Sequence, residues 1–529
     1  MKTNYLLSIL VLFGGLLFVG CRTVEAPVPV VPEGAQAGEL IGLEGCEFQP
    51  AGGKTIYAAE CGTLVVPENW DKPDSRLIAL PVARIPAKGP NAEEPVFFLQ
   101  GGPGETNLSW APSDWLLENH DFVMIGYRGV DGTVTLSCPQ VDRLVDAHMG
   151  RDLFSEQARA EYAAAVKDCA STHQEAGVDL SGYTIPGVVE DMESARIALG
   201  YEQINLLSAS YGTRIAQIYA YMYPDSLHRL VLIGVNTPGH FIWDPIVFDE
   251  MIEHISELCD RDATCSSRTN DFARTMHTVN RNMPERWLFF NIDSDSVRLG
   301  THALFFANPN MPMVIDAYLS AENGDPSGLA MMNLMGTIMP LEAVLGDQFS
   351  KGGTTDLEKY LGAEKVGLGD SIMGAPFTEI IWTMVVDWPI ELISKDLREF
   401  QESDVEMLLV NGTVDFSTPP TALEEAKPYF HKAQIVLLPE FSHVSDVSTL
   451  QPAAFERLIT SYYDTGLADS SLYVYEPLSF EPGVSLVLMA KILVAAMVIL
   501  PVLIIWGVSS ILRRVNFVRE RGKDHRIKR

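Results

Sequence analysis

The most constraining feature of the sequence is a strand, a tight turn and a helix that follow one another without a linker. Ile204-Asn205-Leu206-Leu207 is a short apolar run of strand character, Ser208-Ala209-Ser210-Tyr211-Gly212 is rich in small residues, and Thr213-Arg214-Ile215-Ala216 opens a helical pattern that reaches Tyr223. A turn this short strains its central residue and tolerates only small side chains two positions before and after it. Ser208 and Gly212 occupy those positions, so the Ser210 hydroxyl should project above the end of a sheet. A helix entered directly from a strand must pack back on the sheet face, which favours parallel strands covered on both sides.

The rest of the chain carries that alternation and then interrupts it. Apolar runs at Leu77–Val82, Pro95–Leu99, Phe122–Ile125 and Leu230–Gly234 are of strand length, and Gly187–Leu199 has a helical pattern. From 241 to 399 the sequence is chiefly helical, Met-rich and poor in strand signals, as expected of an insertion over the sheet. Strand signals resume at Glu406–Val410 and Gln434–Leu438. The expected organisation is therefore a core over 41–240, a helical lid over 241–399 and the remainder of the core over 400–480. A chain of 529 residues with 47% hydrophobic content can bury such a core.

Two polar residues stand at the ends of the resumed strands. Asp415 follows the first, in Asn411-Gly412-Thr413-Val414-Asp415, and His443 follows the second, in Pro439-Glu440-Phe441-Ser442-His443. A nucleophile followed along the chain by an acid and then a histidine, each after its own strand, is the order found in the α/β-hydrolase fold. Asp404 precedes its strand, His431 falls in a helical segment and His525 lies beyond the last apolar stretch, so they fit less well. An attacked carbonyl also needs fixed backbone donors for its developing charge. Gln100-Gly101-Gly102-Pro103-Gly104 follows the strand that ends at Leu99, and the expected donors are the amides of Gly102 and Tyr211. This chemistry is acyl transfer through Ser210, Asp415 and His443, with no cofactor and no metal.

Gly101-Gly102-Pro103-Gly104, Tyr127-Arg128-Gly129-Val130-Asp131-Gly132, Val189 to Arg196, Ser210-Tyr211-Gly212-Thr213 and Gly412 to Pro419 together resemble the proline iminopeptidases and tripeptidyl aminopeptidases of the α/β-hydrolase superfamily. The resemblance spans roughly Cys46 to Asp464. It implies a mostly parallel sheet with helices on both faces and a helical lid. The implied substrate is a short peptide cut near its free N-terminus, with carboxylates from the lid meeting the terminal amine. The insertion's net charge of about −14 over 241–400 is compatible with that role. The resemblance also implies a structural pair between Asp191 and Arg196. Gln100, Gly126 and Ser208 depart from the family, which usually has His, Asp and Gly there. Two other readings use the same residues differently. An esterase or lipase would share the triad, with Met331-Met332-Asn333-Leu334-Met335 as an acyl pocket, and a non-enzymatic, membrane-tethered binding protein would retain only the scaffold.

The two ends suggest export. Lys2, the apolar run Tyr5–Val19 and Gly20-Cys21 read as a signal peptide over 1–21, resembling a bacterial lipoprotein signal with Cys21 as the lipidation site; a Pro-rich linker over 22–40 follows. Between Lys491 and Arg513 lie 21 uncharged residues, enough for a transmembrane helix within 484–512. The tail 513–529 carries eight Lys or Arg against Glu520 and Asp524, so it should stay in the cytoplasm. The catalytic body would then face the periplasm from the inner membrane. Setting Cys21 aside leaves six cysteines, of which the simplest pairing is Cys46-Cys61, Cys138-Cys169 and Cys259-Cys265. Removing the basic tail from the formal charge of −31 leaves a body of about −37, which makes nucleic acid an unsuitable partner.

Overall fold

The computed structural model describes residues 28–90, 92–338, 343–363 and 368–524. The expected signal peptide with Cys21, the start of the linker and the last residues of the basic tail lie outside them.

Nine strands form one sheet. They are β1 (Leu40–Phe48), β2 (Tyr57–Pro67), β3 (Leu77–Ile85), β4 (Val96–Leu99), β5 (Phe122–Ile125), β6 (Ile204–Ala209), β7 (Leu227–Ile233), β10 (Glu406–Gly412) and β11 (Ala433–Leu438), in spatial order β1-β2-β3-β5-β4-β6-β7-β10-β11. From β5 to β11 all neighbours are parallel, whereas β1, β2 and β3 pair antiparallel and join β5 antiparallel. Side chains alternate between two cores, because successive strand residues face opposite sides. Phe97, Leu99, Leu206, Leu230, Leu232, Met407 and Leu409 enter one core, and Val96, Phe98, Leu207, Val231, Ile233, Leu408 and Val410 the other. Continuous apolar runs are thus strands buried on both faces.

Helices α1 (Pro139–His148), α2 (Glu156–Glu175), α3 (Ile185–Leu199) and α4 (Tyr211–Met222) contribute to the first core. Between β7 and β10 the chain forms helices, including α5 (Met311–Glu322), α6 (Ser327–Ile338), α7 (Leu345–Gly362) and α8 (Pro376–Val385), and one small hairpin, β8 (Arg286–Trp287) with β9 (Phe290–Asn291). α5 and α6 help build a third core of their own, which buries Met331 and Met332. The Met-rich stretch is therefore packing. After the sheet resumes, α9 (Val444–Thr449) and α10 (Pro452–Thr465) cover the second face.

The last helix, α11, runs from Leu486 to Asp524, and its Leu486–Leu512 part is long and apolar enough to cross a membrane. Its first turns are not free, however. Leu486 and Ala490 are buried in the core formed by α5 and α6. Ser485 donates to Asp316 at 2.8 Å and Lys491 pairs with Asp325 at 2.6 Å. The start of this helix thus belongs to the packed body.

Disulfides join Cys46 to Cys61 across β1 and β2, Cys138 to Cys169 between the start of α1 and α2, and Cys259 to Cys265 beside the insertion's core. Asp191 does not pair with Arg196. Five residues apart on α3, the two point to different faces, whereas Glu193 and Arg196, three apart, share one and pair at 2.6 Å. Asp191 instead meets Arg128 through two bonds of 2.7 and 2.5 Å, and Arg128 also donates to the carbonyls of Glu68 and Gly182. This buried guanidinium ties α3 to the sheet end.

Candidate active site

The register of the parallel strands brings their carboxyl ends to one edge. Leu99 stands opposite Ser208, Ala209 and Val410 stand opposite Ile233, and Gly412 stands opposite Leu438. Loops leaving β4, β6, β10 and β11 therefore meet, as is usual for open α/β sheets.

Ser210 sits between β6 and α4 with φ 48° and ψ −118°, a strained conformation for a residue with a Cβ. The structure holds it there from three sides. Its amide donates to Ile233 O at 2.8 Å. A Cβ on Gly212 would lie 2.1 Å from Leu99 O, and a Cβ on Gly101 would lie 2.8 Å from the Ser210 Cβ, so both positions require glycine. Ser208 fits because its buried hydroxyl donates to Val231 O at 2.9 Å across the sheet. The same steric reasoning excludes an aspartate at Gly126, where a Cβ would meet Asp131 and Pro81 within 2.8 Å.

Asp415 is buried in the loop after β10 and accepts four hydrogen bonds: from the amides of Ser417 (2.8 Å) and Thr418 (2.9 Å), from Thr418 Oγ1 (2.7 Å) and from His443 Nδ1 (2.8 Å). Three protein donors besides the imidazole fix the carboxylate's direction. His443 stands immediately before α9, and Gly234 leaves room for its ring, since a Cβ there would lie 2.8 Å from Cε1. Asp404 and His431 pair with each other at 3.1 Å on the exposed surface. His431 lies in the loop before β11 rather than in a helix, because the preceding helix ends at Ala426.

Ser210 and His443 face one cavity of about 660 Å³, with Gly101, Gly102 and Tyr211 on its wall. Tyr211 begins α4, so its amide has no intrahelical acceptor and is free to serve a ligand. Gly102, at φ 73°, turns the loop after β4 toward the same space. The base of that loop is pinned by Asn107, which accepts the Gln100 amide at 2.7 Å and donates to Phe98 O and Ile125 O. Tyr127 adds a bond from its hydroxyl to Gln100 O at 3.1 Å.

The far end of the loop is held by the insertion. Gly104 N donates to Asp347 Oδ2 at 3.0 Å, and Val344 N donates to Gly104 O at 2.9 Å. Lys351, one turn along α7, pairs with Asp347 at 2.6 Å, donates to Arg128 O at 3.0 Å and lies 5.1 Å from the Tyr127 ring centre. Both charges are fully buried. Sequence reasoning missed this pair; its one signal is an acid and a lysine four residues apart before Gly352-Gly353.

Six aromatic side chains stand on the remaining wall, among smaller polar and aliphatic ones. Trp110 comes from the core, and Phe241, Trp243, Phe306, Phe377 and Trp382 come from the connection between β7 and β10. Among the described residues, no carboxylate of the insertion lines the cavity, and Glu342 and Glu364 of the insertion lie outside the described residues. The carboxylate that lines the cavity is Glu105, from the loop after β4. Desolvation raises its carboxyl above the ordinary range, and a hydrogen bond from Gln100 Nε2 at 3.2 Å acts in the opposite direction.

Comparison with known proteins agrees with this architecture. Residues 94–258 match the family described as alpha/beta hydrolase fold. The tripeptidyl aminopeptidase of Streptomyces lividans is 26% identical over 245 residues, which cover 43% of this chain and 45% of that protein. Serine protease Hip1 of Mycobacterium tuberculosis is 28% identical over 276 residues, 47% of this chain and 51% of that protein. The chain spans about half the length of the curated relatives it matches. With its parallel sheet, its strained turn at Ser210 and the match over 94–258, the chain has the α/β-hydrolase fold, and the relatives it resembles over about half their length include proteins named as peptidases.

Proposed function

We propose that the protein is a serine hydrolase that releases residues from the N-terminus of short peptides through an acyl-enzyme. The observation that carries this reading is the 2.8 Å contact of His443 Nδ1 with the fully buried Asp415, beside a cavity that also exposes the strained Ser210. Asp415 holds the imidazole in the tautomer whose Nε2 accepts a proton. His443 takes the Ser210 proton as Oγ attacks the carbonyl carbon, and the amides of Gly102 and Tyr211 receive the negative oxygen. Collapse of the tetrahedral species breaks the C–N bond, with the proton passing from His443 to the leaving amine. Water, deprotonated by His443, then frees the acyl group and restores the serine.

The peptidase assignment draws on the names of the relatives, both of which denote peptidases. An esterase reading is favoured by one specific observation, the aromatic wall of the cavity, which suits an apolar acyl chain as well as an apolar side chain. Hydrolysis of aminoacyl and short-peptide arylamides against fatty acyl esters separates the two. The proposal expects the arylamides to be preferred, with both activities lost in Ser210→Ala. Retained activity in that variant would contradict the assignment of Ser210.

For location, we propose an exported protein whose helix 484–512, adjusted by its packed start at Leu486, anchors it to the inner membrane. The body would face the periplasm, Cys21 would be its lipidated residue and the basic tail would be cytoplasmic. The three disulfides support an oxidising compartment. Recovery of the protein in outer-membrane fractions would overturn this placement.

A further inference from the structure

The cavity holds its charge in an unusual place. Glu105 carries the one carboxylate among the described lining residues, and no lysine or arginine of that lining balances it. It also stands on the loop that presents Gly102. A Cβ built on Gly102 would lie 2.7 Å from the Glu105 Cδ and 2.8 Å from Oε1, so the carboxylate rests directly against the Gly102 backbone. Glu105 N donates to Gly102 O at 3.0 Å, which closes the turn, and Gln100 Nε2 holds Oε2 at 3.2 Å.

A fixed negative charge beside an oxyanion donor is electrostatically wrong for the bare reaction. As the carbonyl oxygen becomes negative, the Glu105 carboxylate beside Gly102 repels it. A cation bound to the carboxylate during turnover removes the conflict. A peptide with a free N-terminus brings such a cation, the α-ammonium, within one carbon of the carbonyl of its first residue.

Resting on the peptidase reading above, we propose that Glu105 binds the α-ammonium of the residue whose carbonyl Ser210 attacks, making the enzyme selective for release of a single N-terminal residue. The ion pair anchors the substrate and cancels the charge opposing the oxyanion, so one contact serves both binding and rate. The aromatic wall then receives the side chain of that first residue, which should be apolar. A substrate with a blocked amine leaves Glu105 uncompensated and loses in both respects.

The test measures kcat and KM for three arylamides of an apolar residue such as leucine: the free aminoacyl compound, its N-acetyl counterpart and a free-amine tripeptidyl compound. Wild-type full-length protein, Glu105→Gln and Glu105→Asp are compared, the second variant keeping the charge in case the first folds poorly. Wild type should prefer the free aminoacyl compound. Glu105→Gln should lower its kcat/KM by about 10- to 100-fold, the worth of a charge-assisted hydrogen bond. The same change should raise kcat on the N-acetyl compound, a gain that a merely structural role would not produce, and Glu105→Asp should retain the preference. An unchanged ratio of free to N-acetyl hydrolysis in Glu105→Gln would overturn the proposal while the peptidase reading stands. Preference for the tripeptidyl compound, insensitive to Glu105→Gln, would do the same. Cleavage of acyl esters with none of the free-amine arylamides would overturn both.

Discussion

Asp347 accepts the Gly104 amide at 3.0 Å, so a side chain of the insertion holds the glycine turn that borders Ser210. The insertion is therefore built into the wall of the site. Its helix α7 supplies Asp347 and Lys351, a buried pair 2.6 Å apart, and the residue before it, Val344, bonds to the same glycine.

Breaking that pair should cost stability and activity together. Asp347→Ala leaves the Lys351 ammonium buried without its counterion, which costs about 3–5 kcal/mol, and it releases Gly104. Thermal melting should fall by several degrees. In the fraction that stays folded, kcat should drop more than KM rises, because the loop orients a donor that acts on the transition state. Measuring kcat and KM below the melting range checks both statements.

Asp415→Asn should isolate the orienting role of the carboxylate. An asparagine oxygen can still accept from the Ser417 and Thr418 amides, so the loop should hold its shape. Its amide group favours the wrong imidazole tautomer, and kcat should fall by about 10³- to 10⁴-fold. Near-UV circular dichroism should match the wild type while steady-state rates collapse.

Two glycines should respond differently to alanine. At Gly212 the new methyl would lie 2.1 Å from a backbone oxygen of β4, which cannot move without shifting the sheet; that variant should express poorly or melt far lower. At Gly101 the new methyl would press on the Ser210 Cβ at 2.8 Å, so loss of activity should exceed loss of stability. Soluble yield, melting temperature and kcat measured on both variants give the comparison.

Truncations should locate the end of the packed body. A chain ending at 480 loses Leu486 and Ala490 from the insertion's core, together with the bonds of Ser485 and Lys491, and should be destabilised by about 2–4 kcal/mol. A chain ending after Val494 keeps those contacts and removes most of the apolar helix. It should melt near the wild-type value, and when residues 1–27 with Cys21 are removed as well it should leave the membrane pellet and stay soluble.

Ser210 and Asp415 could be located in the sequence because each follows a doubly buried parallel strand, β6 or β10, whose continuous apolar run is conspicuous, and His443 because it follows β11, a partly exposed edge strand whose Ile435–Leu438 run is still apolar. β1 and β2 escaped notice because they lie at the antiparallel edge, half exposed, with Glu44, Glu47, Glu60 and several glycines breaking the apolar pattern. The Arg128–Asp191 pair and the grip of Asp347 on Gly104 join residues 63 and 243 positions apart. Side-chain pairing at that separation is set by tertiary packing, and no local spacing reports it. Glu105 is one residue past the glycine turn, yet its closeness to Gly102 depends on backbone angles that composition does not disclose.

Covalent labelling tests most directly whether Ser210 is an activated nucleophile. Folded full-length protein treated with a fluorophosphonate and mapped by peptide mass spectrometry should carry one adduct, on Ser210. Labelling should be absent in Ser210→Ala and greatly slowed in His443→Ala. Folded protein that takes up no label, or a Ser210→Ala variant that still hydrolyses the arylamides, would contradict the account.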